Sequence, residues 1–355
     1  RRLSFSLIPP MAKVLITGGA GFIGCNYAVH LLQAGHDVTL FDNLSRRGAA
    51  SNLDWLRERF ARGFEFVRAD VRDADALAAA VDGQDAVFHL AAQVAVTSSV
   101  TDPREDFGIN ALGTFNVLEA ARLSGRQPLV VYASTNKVYG GMEQVRVVEA
   151  DTRWEYADLP LGLPETQPLD FHSPYGCSKG AGDQYVRDYA RIYDLPTVVF
   201  RQSCVYGPRQ FGIEDQGWLA HFVIATVQGR PTKIYGDGKQ VRDMLWVDDL
   251  LAAFDLALQH PEKVVGKVFN IGGGPEHTLA IWREVQPLLS ELAGRELQAV
   301  YHDWRPGDQK VYISDIRAAM KLGWEPTVDP QTGLRRLWNW VNENAALFAA
   351  GQSEG

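Results

Sequence analysis

Cysteine is scarce in this chain. Cys25, Cys177 and Cys204 are the three among 355 residues, an odd number with no paired spacing. That count excludes a disulfide framework, and a reducing, cytoplasmic setting is the simplest expectation. No apolar run approaches the ~18 residues that cross a bilayer, so no membrane span or membrane partner is expected. Basic blocks are missing and the net charge is −8, which argues against a nucleic-acid surface. The eight histidines are scattered without a metal-ligand spacing such as H-x-x-x-H, and no metal is assigned. Neither internal repeats nor low-complexity tracts occur. What is present is enough apolar material, 46% of residues, to bury one large core or two unequal lobes. Residues 1–10 precede a Met and carry no periodic element. They read as an upstream extension or tag, too short and proline-ended for a secretory signal, and are set aside.

The organising stretch is Val14-Leu15-Ile16-Thr17-Gly18-Gly19-Ala20-Gly21-Phe22-Ile23-Gly24. A short apolar run ends in a glycine turn, and Phe22 and Ile23 open a run at helical spacing. Strand, tight turn and helix start is the geometry that binds a dinucleotide pyrophosphate. Gly18 makes the turn, Gly21 lets the backbone approach phosphate, and Gly24 allows close helix–strand packing. The triplet has one more residue between its first two glycines than G-x-G-x-x-G. A second strand, Asp37 to Phe41, ends in Asp42, 18 residues beyond Gly24. That carboxylate can accept from the adenosine ribose hydroxyls and would repel a 2′-phosphate, so the expected cofactor is NAD. Arg46 and Arg47 lie close enough to leave NADP open.

From Met11 onward short apolar strands alternate with amphipathic helices, which predicts a doubly wound parallel sheet of Rossmann type. Strands are expected at Phe64–Val67, Ala86–Leu90, Leu129–Ala133 and Leu195–Arg201. Helices are expected over Asp75–Val81, Pro103–Ser124 and Tyr175–Tyr193. Asp70 is either an acceptor for the adenine amino group or a helix or turn cap, with Val71 beside it. The small residues of Ala91-Ala92-Gln93 would let the backbone lie against the cofactor. Residues 141–170 break the rhythm and read as a substrate-side flap. Beyond Gly207 the alternation loosens. Helices are expected over Trp218–Gln228, Val247–His260, Leu279–Leu292 and Arg335–Ala349, with strands near Lys233–Tyr235 and Val268–Gly272. The expected organisation is a dinucleotide domain over 11–206 with a later return near 240–275, and a smaller α+β substrate lobe over 207–350.

Tyr175-Gly176-Cys177-Ser178-Lys179 places a phenol and an ammonium four apart on one helix, hence on one face. A nearby cation favours the phenolate, so Tyr175 can exchange a proton with a sugar hydroxyl. Pro174 sets the pair at a helix start, and Ser134 and Thr135 end the preceding strand. Thr135 would hold the hydroxyl that Tyr175 deprotonates; alternatively it caps the next turn. Asp248 and Asp249 read as helix caps. Cys204 reads as a small packing residue rather than a nucleophile, because no base is evident beside it.

The glycine turn, Asp42-Asn43, Tyr175-x-x-x-Lys179 and the tail motifs together resemble the extended short-chain dehydrogenase/reductases, the nucleotide-sugar epimerase and dehydratase group, from Lys13 to about Trp340. The resemblance implies tightly held NAD contacted by Gly18, Gly21, Phe22, Ile23, Gly24, Asp42, Asn43, Asp70, Val71, Ala91, Ala92 and Gln93. It gives hydride-transfer roles to Thr135, Tyr175 and Lys179, with Tyr175 and Lys179 also at the nicotinamide end. The 4,6-dehydratases of the group carry adjacent Asp-Glu after the Ser-Thr. Here those positions are Asn136-Lys137, which cannot act as a carboxylic acid–base pair, so dehydration is disfavoured. The wording Ser134-Thr135-Asn136-Lys137-Val138-Tyr139-Gly140, Arg209-Gln210-Phe211 and Asp215-Gln216-Gly217-Trp218 is similar to members that epimerise C2 of a CDP-linked dideoxyhexose.

By the same resemblance Arg242 and Arg305 hold a diphosphate, for which a guanidinium fork suits phosphate oxygens. Arg209, Gln210, Asp308, Asn136 and Thr135 join them as substrate contacts. The helices at 103–124 and 175–193 imply a homodimer or homotetramer. The alternatives are a UDP-sugar 4-epimerase or another nucleotide-sugar epimerase, and a non-catalytic dinucleotide sensor.

Overall fold

The computed structural model describes residues 8–61, 63–305 and 308–349, so part of the expected extension (residues 1–7) and Pro306-Gly307 lie outside the described residues. Seven strands form the main sheet: β1 (Lys13–Thr17), β2 (Asp37–Phe41), β3 (Phe64–Val67), β4 (Ala86–His89), β5 (Leu129–Thr135), β6 (Thr197–Gln202) and β7 (Val268–Ile271). Their spatial order is β7-β6-β5-β4-β1-β2-β3, and the pairings from β3 through β6 are parallel. Strand order reverses between β1 and β4, which puts the end of β1 at the switch point where open α/β sheets bind ligands. The central strands are apolar on both faces because helices cover both. Leu15, Val87, Val130 and Val199 belong to one buried cluster.

The chain divides into two compact units. The first comprises the described residues through Val138, then Phe171–Gln202 and Leu251–Phe269; the second comprises Tyr139–Asp170, Ser203–Leu250 and the residues from Asn270 onward. The dinucleotide domain therefore does not run unbroken over 11–206. The return segment belongs to the first unit for a packing reason. Phe254 meets Tyr27 (5.1 Å between ring centroids), Phe88 (5.2 Å) and Phe200 (6.1 Å).

Residues 141–170 are ordered within the second unit. Val147–Glu149 pairs antiparallel with Trp154–Tyr156, and Leu163 N donates to Ile313 O at 2.7 Å. Val147, Trp154 and Tyr156 pack on a buried group of Val241, Ala280 and Val311. The helix expected over Leu279–Leu292 is split. Thr278–Ala280 is a strand paired with Val241–Asp243, and the helix begins only at Val285. The closing helix starts earlier than expected, at Pro330, because the Asp329 carboxylate accepts from Thr332 N. It ends at Glu343, and a separate short helix covers Ala346–Ala349.

In the first unit the long helix predicted from Pro103 runs as Pro103–Phe107, a π-helical turn Gly108–Leu112, and Gly113–Leu123. A π-helical turn in such a position commonly marks a functional site. The second long helix spans Ser173–Ile192.

Candidate active site

Backbone alone builds the dinucleotide turn. Gly18 has φ +69°, and a Cβ there would lie 2.8 Å from Ala91 N. A Cβ on Gly24 would fall 2.3 Å from Gly18 O. Only glycine fits either place. The helix Phe22–Gln33 has Gly21 as an N-cap with no side-chain cap, and its first helical bond runs from Cys25 N to Gly21 O (2.9 Å). The N–H groups of Phe22, Ile23 and Gly24 therefore precede the helical ladder, at the positive end of the helix dipole. That cradle and donor set fit a pyrophosphate.

Asp42 is buried at the end of β2, and burial raises its pKa while two backbone bonds pull the other way. Its carboxylate accepts from Ala20 N (3.0 Å) and Leu44 N (2.7 Å), which ties the end of β2 to the glycine turn. Asp70 caps a turn rather than the helix: its Oδ1 accepts from Arg72 N (2.9 Å), while Asp73 caps the following helix. The Asp70 carboxylate takes a fork from Arg72 (2.8 Å to each oxygen) and Asn43 Nδ2 (2.8 Å), and these bonds hold its pKa down at about 2. Ala91 N donates to Thr17 Oγ1 at 3.3 Å, beside the turn. Val71 and Ala92 stand next to Asp70 and Ala91 in the same unit.

Thr135, Tyr175 and Lys179 are all buried in the first unit. The Thr135 hydroxyl accepts from Lys137 N (3.2 Å), so it caps the turn after β5, and it donates to Asn136 Oδ1 (3.3 Å). It also lies beside the Tyr175 phenol and draws that group's pKa down. Burial is the larger effect and pushes Tyr175 up to about 12, with Asp106 raising it further and Arg46 lowering it. The expected acidification by Lys179 does not occur in this arrangement. The Lys179 ammonium donates to Ala133 O at 2.6 Å and sits 4.2 Å from the centroid of the Tyr132 ring. Burial brings Lys179 down to about 7, opposed by the carboxylates of Asp183 and Asp106.

Three supporting groups escaped the sequence reading. Asp183, fully buried and one turn beyond Lys179, accepts from Arg201 Nε (2.9 Å) and Nη2 (3.0 Å) and from Ser134 Oγ (2.8 Å). Asp106 gathers Ser178 Oγ (2.5 Å), Gln93 Nε2 (3.0 Å) and Asn110 Nδ2 (3.1 Å), so Gln93 and the helix that carries Tyr175 and Lys179 share one carboxylate. His89 bridges Thr17 Oγ1 (2.7 Å) and Thr114 Oγ1 (3.0 Å). Because the Thr114 hydroxyl donates to Asn110 O (2.6 Å), His89 must donate from Nε2 and accept at Nδ1. Burial and the nearby Lys179 charge take its pKa down to about 3, keeping it neutral.

The remaining candidates lie in the second unit, apart from Asn136. Arg242 is buried and donates from Nη2 to Asp308 Oδ1 (2.8 Å) and from Nη1 to Val241 O (2.8 Å). Arg305 pairs with Asp215 (2.9 Å) and lies 3.9 Å from the Tyr235 ring centroid. Arg209, at φ +67°, lies over the Trp340 ring at 5.8 Å. Gln210 Nε2 donates to Val205 O (3.2 Å). Asp248 and Asp249 are cross-links rather than caps. Asp248 accepts from Trp246 Nε1 (2.9 Å), and Asp249 accepts from Thr327 Oγ1 (2.7 Å) and Val328 N (3.1 Å). Cys204 has φ +37° and its carbonyl accepts from Leu245 N at 3.2 Å. Among the described residues no group of His, Cys, Asp and Glu is placed to hold a metal, and no helix is long and apolar enough to cross a membrane.

Residues 14–272 match the NAD dependent epimerase/dehydratase family. The chain is 43% identical to CDP-paratose 2-epimerase of Salmonella typhi over 338 residues, covering 93% of this chain and 99% of that protein. It is 36% identical to UDP-glucose 4-epimerase of Mycolicibacterium smegmatis, covering 91% and 96%. Among solved structures, the UDP-glucose 4-epimerase of Thermus thermophilus in complex with NAD superposes with a TM-score of 0.76 at 33% identity, covering 95% of this chain and 99% of that one.

The Lys179 shift gives a testable pH dependence. Its pKa is about 7 folded against an ordinary value of 10.5, so between these the unfolded chain binds the extra proton. This group's contribution to stability therefore rises with pH from about 7 upward. Denaturant titrations of the NAD-free protein at pH 7 and pH 9 should show that gain, and Lys179→Met should abolish it. An equal gain in the variant would assign it elsewhere.

Proposed function

The chain belongs to the NAD dependent epimerase/dehydratase family, and from that premise we propose that it inverts C2 of a CDP-linked hexose through a transient 2-keto sugar. The observation that carries the chemistry is the Thr135 hydroxyl beside the Tyr175 phenol, both buried in the unit that bears the glycine turn. The choice of C2 and of CDP rests on the 43% identity to a CDP-sugar 2-epimerase across nearly the whole chain. Asn136 and Lys137, where elimination needs a carboxylic acid and a base, support epimerisation over dehydration.

The residues divide the work as follows. The N–H groups of Phe22, Ile23 and Gly24 take the pyrophosphate, and Asp42 accepts from the adenosine ribose. Asn43, Asp70, Val71 and Ala91-Ala92-Gln93 line the path between. When bound, NAD supplies the hydride acceptor and a positive charge beside the phenol. Lys179 holds the nicotinamide ribose. Thr135 positions the sugar 2-hydroxyl and Tyr175 removes its proton, with bound NAD as the group that would accept the C2 hydride. Inversion would require the flat 2-keto sugar to turn before reduction on its other face, when Tyr175 gives the proton back. No net oxidation results, so the dinucleotide stays bound. Arg242, Arg305 and Arg209 hold the diphosphate, with Asp308 orienting Arg242 through its 2.8 Å bond and Gln210 nearby. The small, odd number of cysteines supports a reducing, cytoplasmic setting.

A homodimer completes the proposal. The helices at 103–123 and 173–192 carry Phe107 (61% exposed), Leu123 (70%) and Ile192 (63%), with Leu112, Phe115, Tyr185 and Tyr193 also exposed. A row of large apolar side chains on two helices suits a second copy of the same chain. Light scattering should give a mass of at least two chains, and Leu123→Glu should lower it. A monomeric wild-type protein would rule the dimer out.

Tyr175→Phe should lower kcat by about 10²–10⁴-fold while NAD stays bound. Product NMR with CDP-, UDP- and GDP-hexoses should show inversion at C2 of the CDP-sugar. Retained turnover in the variant would overturn the role of the phenol. Inversion at C4 of a UDP-sugar would replace the C2 assignment with a 4-epimerase.

A further inference from the structure

We infer that Gln309 reads the substrate, its amide oxygen accepting one hydrogen bond from an N–H or O–H of the bound nucleotide sugar. The inference rests on the nucleotide-sugar reading above and extends it to a residue that reading does not use.

Gln309 is 3% exposed, and its Nε2 donates to Gly140 O at 2.5 Å. A carbonyl oxygen only accepts, so the amide nitrogen must face Gly140 and the side chain cannot be turned over. Gly140 is itself held. It has φ +71°, and a Cβ there would overlap Asp170 O at 1.9 Å. With both ends fixed, Gln309 Oε1 points the other way, buried and without a hydrogen-bond partner among the described residues. A buried amide oxygen left unpaired is costly, and folded proteins rarely leave one without a use.

The surroundings indicate the ligand's chemistry. The preceding residue, Asp308, takes the guanidinium of Arg242 at 2.8 Å, in the group assigned to the diphosphate. Phosphate oxygens are acceptors and cannot satisfy Oε1. A CDP-sugar offers three kinds of donor: the hexose hydroxyls, the ribose hydroxyls and the exocyclic amine of cytosine. Uracil presents a carbonyl oxygen where cytosine has that amine, so an acceptor that cannot rotate distinguishes the two bases.

The test compares the NAD-loaded wild-type enzyme with Gln309→Met, which keeps the volume and removes the acceptor. Calorimetry measures CDP and UDP binding, and initial rates measure KM for a CDP-hexose; retained NAD reports an intact first unit. If the base amine is the donor, CDP affinity falls about 10–100-fold in the variant and UDP affinity is unchanged. If a hexose hydroxyl is the donor, CDP affinity holds and KM for the CDP-hexose rises by about the same factor; if a ribose hydroxyl is the donor, CDP and UDP affinities fall together by that factor. Unchanged values in all three overturn the inference. Should Gln309→Met lose its NAD or unfold early, Gln309→Leu is the second variant; failure of both makes the residue structural and also overturns it. A wild-type enzyme that binds neither nucleotide and turns over no nucleotide sugar defeats the functional reading and the inference together, a result seen before any substitution is made.

Discussion

A buried carboxylate holds the reacting end of this molecule in register. Asp183 lies one turn past Lys179 and takes a two-point fork from Arg201 on β6 together with the hydroxyl of Ser134 on β5. Three separate stretches of chain are thereby locked at the place where Thr135, Tyr175 and Lys179 must agree in position. Removing one partner of such a buried pair typically costs about 3–5 kcal/mol, because the other charge is left without compensation. The pair adds geometry more than net stability. Its two members and Ser134 leave Thr135, the next residue along β5, facing the phenol.

Around that fixed frame, burial acts in opposite senses on the two working groups. The phenol of Tyr175 is pushed up to about 12 and the ammonium of Lys179 down to about 7, so both move toward their neutral forms. A phenol in that condition is a poor base until positive charge arrives beside it. In the proposed reaction, proton removal would therefore depend on the positive charge of an oxidised cofactor. Elsewhere the charges are held fixed. Asp70 stays ionised under the Arg72 fork, and Arg242 and Arg305 are held by Asp308 and Asp215. Permanent charges suit the anchoring roles proposed for these residues toward ribose and phosphate.

The parts of this architecture that depend on local backbone were legible in the residues. Gly18, Gly21 and Gly24 mark a turn whose steric demands any reader can work out, and Tyr175 and Lys179 share a face by helical spacing alone. What depends on tertiary partners was not. The direction of the Lys179 ammonium follows from the Ala133 carbonyl and the Tyr132 ring, both on β5, far from it in sequence. Asp183 and Arg201 are an ordinary pair of charges until the helix Ser173–Ile192 packs on the sheet and brings them together. The short strands in 141–170 lack the length to announce themselves, and Thr278–Ala280 is a strand because Val241–Asp243 pairs with it. Asp248 and Asp249 sit where caps belong, yet Trp246 and the Thr327–Val328 segment claim them.

The proposed inversion requires that a hydride leave C2 of the sugar and return to the same carbon within one enzyme molecule. The most direct measurement follows a CDP-hexose carrying deuterium at C2 through complete epimerisation in ordinary water. The account predicts that the inverted product keeps its deuterium at C2, with none lost to solvent. Washout of the label into water would contradict it, because the hydrogen would then have left as a proton rather than as a hydride.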